Sequence, residues 1–86
     1  MNPRPLYARI VRGEVQNVDF GDFVRLLRAF GFEPDGTRGS HRFFRHQTGS
    51  RLNLQVRAGQ AKDYQIRQFL ELVEAEGLDW KEDNGS

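Results

Sequence analysis

From Phe20 to Phe30 the apolar residues return every three or four positions: Phe20, Phe23, Val24, Leu27 and Phe30, with Leu26 widening the stripe and Arg25 and Arg28 left for water. That spacing predicts an amphipathic helix. Asp19 is placed to cap it, Asp22 puts an acid in the first turn where the helix dipole favours one, and Gly31 stops it. The period then changes. Phe32 to Arg38 predicts a first strand, bent or confined to an edge by Pro34 and the Asp35-Gly36 pair. Gly39 separates it from a second strand over 40–46, and Gln47-Thr48-Gly49-Ser50 supplies a hairpin connection. Arg51-Leu52-Asn53-Leu54-Gln55-Val56 alternates with period two, which aims Leu52, Leu54 and Val56 at a core. After a loop over 57–62, Asp63 is expected to cap a second long helix that runs to Glu76 and stops at Gly77. Its inner stripe is Ile66, Phe69, Leu70 and Val73 with Leu72 beside it, and Glu71, Glu74 and Glu76 face out.

At the N-terminus, Pro3 and Pro5 suit the first turn of a short helix that Gly13 ends. Leu6, Tyr7, Ile10 and Val11 would form one stripe packed on the domain, and 14–18 reads as a loop. At the other end Leu78-Asp79-Trp80 is expected to fold back on the body, with a disordered tail over 81–86. The predicted fold is α+β: a two-layer sandwich of order α-β-β-β-α, plus the short N-terminal helix. Its three-stranded antiparallel sheet is covered on one face by two helices. Residues 1–17 are an N-terminal extension, 18–78 the main domain and 79–86 the C-terminal tail. The second sheet face is left open.

Composition narrows what that face can do. Cysteine is absent, which excludes disulfides and thiolate metal sites and leaves redox chemistry without a basis. No apolar run approaches the roughly twenty residues of a membrane span, and no signal-peptide core precedes the domain. The expectation is a cytoplasmic protein with no membrane partner. The net charge of +1 conceals a division: 1–37 is neutral, 38–67 carries +6, and 68–86 carries −5. The basic block contains both histidines, with aromatics interleaved, which points to a polyanion such as nucleic acid.

Alternation decides where those side chains face. With Phe44 turned to the helices, Arg42 and His46 share its side, while His41, Phe43 and Arg45 point to the open face beside Asn53 and Gln55. A bulge at Gly39 or Ser40 would invert this. An exposed imidazole among arginines, reached by Lys62 from the adjoining loop, suits metal-free cleavage of RNA. It can take the proton of a ribose 2′-hydroxyl or give one to the leaving oxygen, while cations offset the charge growing on the phosphate. Two histidines with no HExxH-like or paired-carboxylate spacing give a metal no ligand set, and no cofactor is expected. Residue chemistry alone keeps three readings open: a nuclease, a non-catalytic RNA-binding module, and a domain whose open face serves a protein partner.

Arg38-Gly39-Ser40-His41, the aromatic strand after it, and Gly59-Gln60-Ala61-Lys62 leading into the last helix together resemble the HicA toxin family over residues 18 to 78. The resemblance implies a fold similar to double-stranded RNA-binding domains and an mRNA interferase of a type II toxin-antitoxin system. It also implies a HicB-like antitoxin that covers the active site. Carried over residue by residue, it puts the catalytic histidine at His41, with Gly39 and Ser40 shaping its approach. Many members have a second histidine next, where this chain has Arg42. With the basic side chains added, the expected RNA-binding set is Arg38, Gly39, Ser40, Arg42, Phe43, Arg45 and Lys62, and no residue is assigned to a metal.

Overall fold

The structure is a computed structural model that describes residues 2–81. Its first helix, α1 (Arg4–Val11), enters through Pro5 in the first turn, where the missing amide proton costs nothing. Ile10 is fully buried, and Leu6 and Tyr7 pack against the core. Val11 departs from the expected stripe, because the helix ends there and leaves it more than half exposed.

The next helix, α2 (Phe20–Ala29), follows β1 (Val18–Asp19) and is capped as expected: the Asp19 carboxylate accepts the Asp22 amide at 3.0 Å. Residues 14–18 were expected as a loop throughout, and β1 is the exception. Val18 and Asp19 pair antiparallel with Ala61 and Gln60 of β5 (Gln60–Ala61). Two residues on each side carry no readable period, and their pairing spans forty positions of chain. The ribbon buries Val18 and Ala61 and ties the start of α2 to the start of the last helix.

Between these elements lies an antiparallel sheet in the order β2 (Glu33–Arg38), β3 (His41–Arg45), β4 (Arg51–Gln55). Pro34 sits on the edge strand β2, where a missing ladder donor is tolerated. Phe44 pairs with Leu52 and Arg42 with Leu54 on the face turned to the helices. The last helix, α3 (Asp63–Glu76), starts one residue earlier than expected. Lys62 holds the cap position with no side-chain cap bond, and Asp63 is the first helical residue.

Phe23, Leu26 and Leu27 of α2, Ile66 and Phe69 of α3, and Phe44, Leu52 and Leu54 of the sheet form one buried cluster. Phe69 is its hub, with edge-on contacts to Phe23 and Phe30. This is the α+β sandwich expected, with the two-stranded ribbon added. Trp80 folds back onto Phe30 with 4.5 Å between ring centroids, and Arg4 lies over its indole at 4.3 Å. Lys81 belongs to the body rather than to a tail, since its amide donates to the Ala29 carbonyl. Residues 82–86 of the expected tail lie outside the described residues. No described helix is long and apolar enough to cross a membrane.

Candidate functional site

The open face is built from residues directly opposite one another in the ladder, which share a side of the sheet. Arg38, His41 and Gln55 form one row, Phe43 and Asn53 the next, and Glu33, Arg45 and Arg51 the last. The parity around Phe44 therefore holds, and no bulge at Gly39 or Ser40 inverts it. Those two residues are a tight turn between Arg38 and His41, with Gly39 at φ +60° in the left-handed region.

A bulge does occur one turn earlier. Between the Pro34–Phe44 and Thr37–Arg42 pairs, two β2 residues, Asp35 and Gly36, oppose Phe43 alone. Gly36 supplies the required φ of +108°. Regular pairing from Pro34 onward would have turned Arg38 toward the helices. The inserted residue turns it to the side of His41.

The His41 imidazole is exposed and held by one side chain, with Nδ1 3.1 Å from Asn53 Oδ1. A carboxamide oxygen only accepts, so Nδ1 is the donor in this contact and Nε2 is left for another partner. The same end of the face holds a second set of contacts. Lys62 Nζ donates to Gln55 Oε1 at 2.9 Å, and Gln55 Nε2 donates to Ser40 Oγ at 3.4 Å. Lys62 is delivered by a tight hairpin in which Ala58 and Gly59 both have positive φ and the backbone of Arg57 and Gln60 exchanges two hydrogen bonds.

Arg38, Ser40, His41, Phe43, Arg45 and Lys62 thus lie on the open face or at its rim, with Gly39 in the turn at its end. Arg42 does not join them. It shares the side of Phe44, and its guanidinium reaches round to lie 5.6 Å from the ring centroid of Phe20. Arg45 is four residues along β3 from His41, on the order of 13 Å at the rise of a strand, so it serves a different part of any ligand. Asn53 and Gln55 were placed on this face by their alternation. Their direct contacts to His41, Ser40 and Lys62 follow from the β3–β4 register, which no local pattern encodes.

Glu33 is the one acid in the rows of this face, and its ion pairs go to Arg28 and Lys81. Among the described residues the ion pairs are Arg12–Glu14, Arg25–Asp22, Arg28–Glu33 and Lys81–Glu33. None uses a cation of the 38–67 block.

His46, the other histidine, is built into the body. Its Nε2 lies 3.0 Å from the Phe30 carbonyl, which closes one of the orphan acceptors at the end of α2. Its Nδ1 takes the Thr48 amide at 3.1 Å, and its ring meets Phe32 edge-on.

A family model described as HicA toxin of bacterial toxin-antitoxin matches residues 20–75, from the first residue of α2 to the last turn of α3. No curated protein matches the chain. No solved structure matches it either.

Proposed function

Because the chain belongs to the HicA toxin family, and so acts as a toxin paired with an antitoxin, we propose that it is a metal-independent endoribonuclease in which His41 moves the proton. The observation that carries this reading is an exposed imidazole, engaged at Nδ1 by Asn53, on a sheet face whose cations form no ion pair among the described residues.

RNA brings its own nucleophile. Nε2 of His41 accepts the 2′-hydroxyl proton as that oxygen bonds to the adjacent phosphorus, the bond from phosphorus to the 5′-oxygen breaks, and the leaving oxygen takes a proton from water or from the imidazolium just formed. The products are a 2′,3′-cyclic phosphate and a 5′-hydroxyl end. Arg38 and Lys62 flank His41 and offset the charge that grows on the phosphoryl oxygens. Phe43 offers an apolar surface to a base, and Arg45 with Arg51 binds phosphates farther along the strand. Arg42 supports the fold through Phe20 instead of sharing the proton work, so the position after His41 needs no second imidazole for this scheme.

The test is chemical. A single 2′-deoxy substitution at the cut position of an RNA oligonucleotide should block cutting there, and the cut RNA should end in a cyclic phosphate. Cutting of the deoxy-substituted site at an unchanged rate would exclude the 2′-hydroxyl as nucleophile and with it this role of His41.

A further inference from the structure

Tyr64 is an aromatic residue that the core does not use. It stands in the first turn of α3, more than half exposed, and lies outside the cluster that takes up Tyr7, Trp80 and seven phenylalanines less Phe43. A single exposed ring is ordinary on a protein surface; what distinguishes this one is its surroundings.

Gln65, only 2% exposed, donates from Nε2 to the Tyr64 hydroxyl oxygen and to the backbone carbonyl of Asn53, both at 3.4 Å. Asn53 is the residue whose side chain holds His41. Lys62 Nζ, bonded to Gln55 in the row of His41, lies 5.8 Å from the Tyr64 ring centroid. The ring is therefore tied to β4 through Gln65, which reaches the backbone of the residue that holds His41, and neighboured by Lys62, which reaches Gln55 in the row of His41. The Tyr64 oxygen accepts from Gln65, so its own proton is free to be donated outward.

Gln65 also carries a cost. Its Oε1 is buried without a hydrogen-bond partner, an arrangement that an apolar side chain of the same length would avoid. That amide nonetheless fixes an exposed ring and the edge of β4 through its nitrogen.

We propose that Tyr64 is a second wall of the substrate site, an aromatic platform that stacks an RNA base next to the phosphodiester at His41, with Lys62 beside it on the backbone of the same nucleotide. Base stacking suits this position because every base has a π-face, and a cation beside the ring favours a polyanionic ligand over an apolar one. The platform rests on the nuclease reading for its neighbour, the imidazole. Its own claim is about binding and can fail separately.

The experiment uses fluorescence anisotropy with a labelled single-stranded RNA oligonucleotide of mixed sequence, in a His41→Ala background so that the RNA stays intact. Adding Tyr64→Ala should weaken binding about tenfold, the loss of one stacked base. Tyr64→Phe should stay within about twofold, since the ring remains. Gln65→Met should leave the thermal midpoint equal or higher and still weaken binding, a combination that a merely structural Gln65 would not give. Unchanged affinity in Tyr64→Ala overturns the platform, and a loss of antitoxin binding in that variant would then assign the ring to the protein partner. No RNA binding by the His41→Ala parent overturns the nuclease reading and the platform together.

Discussion

One histidine opens β3 and the other lies just past its end, and their surroundings are opposite. His41 has one side-chain contact and an open nitrogen, and nothing in the core depends on it. His46 has both nitrogens bonded, one to the carbonyl at the end of α2 and one to the hairpin it closes, and its ring is packed on Phe32. An added methyl at Gly31 would come within 3.1 Å of its Nε2, which shows how closely the chain is built around it. A side chain whose every valence is spent on the fold cannot also exchange protons with a substrate. The difference separates an imidazole left open to a partner from a structural one although the residue type is the same.

That contrast gives its own tests. The largest expected effect is His41→Ala, which should lower single-turnover RNA cleavage by about 10²–10⁴-fold, the usual worth of a positioned general acid or base. The thermal midpoint of the variant should not change. His46→Ala should do the reverse. It leaves the Phe30 carbonyl and the Thr48 amide without a partner in a nearly closed site, so chemical denaturation should report a loss of about 2–3 kcal/mol, with cleavage retained below the transition. Asn53→Ala should lower kcat about tenfold with little change in KM, because the imidazole loses the contact that fixes its tautomer while the cationic face is untouched. Arg42→Ala should be the mildest. Its guanidinium lies on Phe20, away from His41, so the cleavage rate should stay within about threefold while stability falls by about 0.5–1 kcal/mol. A loss of rate as large as that of His41→Ala would return Arg42 to the site.

How much of this was legible in the chain follows from the range of the interactions involved. The capped amphipathic helix α2, the strict alternation of β4 and the inward aim of Phe44 are local periodicities, and each is present in the structure. The assignment of His41 and His46 to different sides rests on that alternation alone. Features set by distant pairing were hidden. The β1–β5 ribbon joins two dipeptides with no pattern of their own, and Gln65 reads as a polar helix residue until the edge of β4 is seen beside it. The contact of Asn53 with His41 depends on a register set by the hairpin. Arg38 reaches the side of His41 because of the bulge at Asp35-Gly36. There the sequence marks an irregularity in the strand but not which way the following side chain turns.

The central claim is that one imidazole, the one the fold does not need, performs the reaction. The direct measurement incubates purified wild-type, His41→Ala and His46→Ala protein with RNA in the presence of a chelator, each below its own thermal transition. Wild type and His46→Ala should cut the RNA, and His41→Ala should leave it intact. Cutting by His41→Ala at the wild-type rate, or an inactive but folded His46→Ala, would contradict the claim.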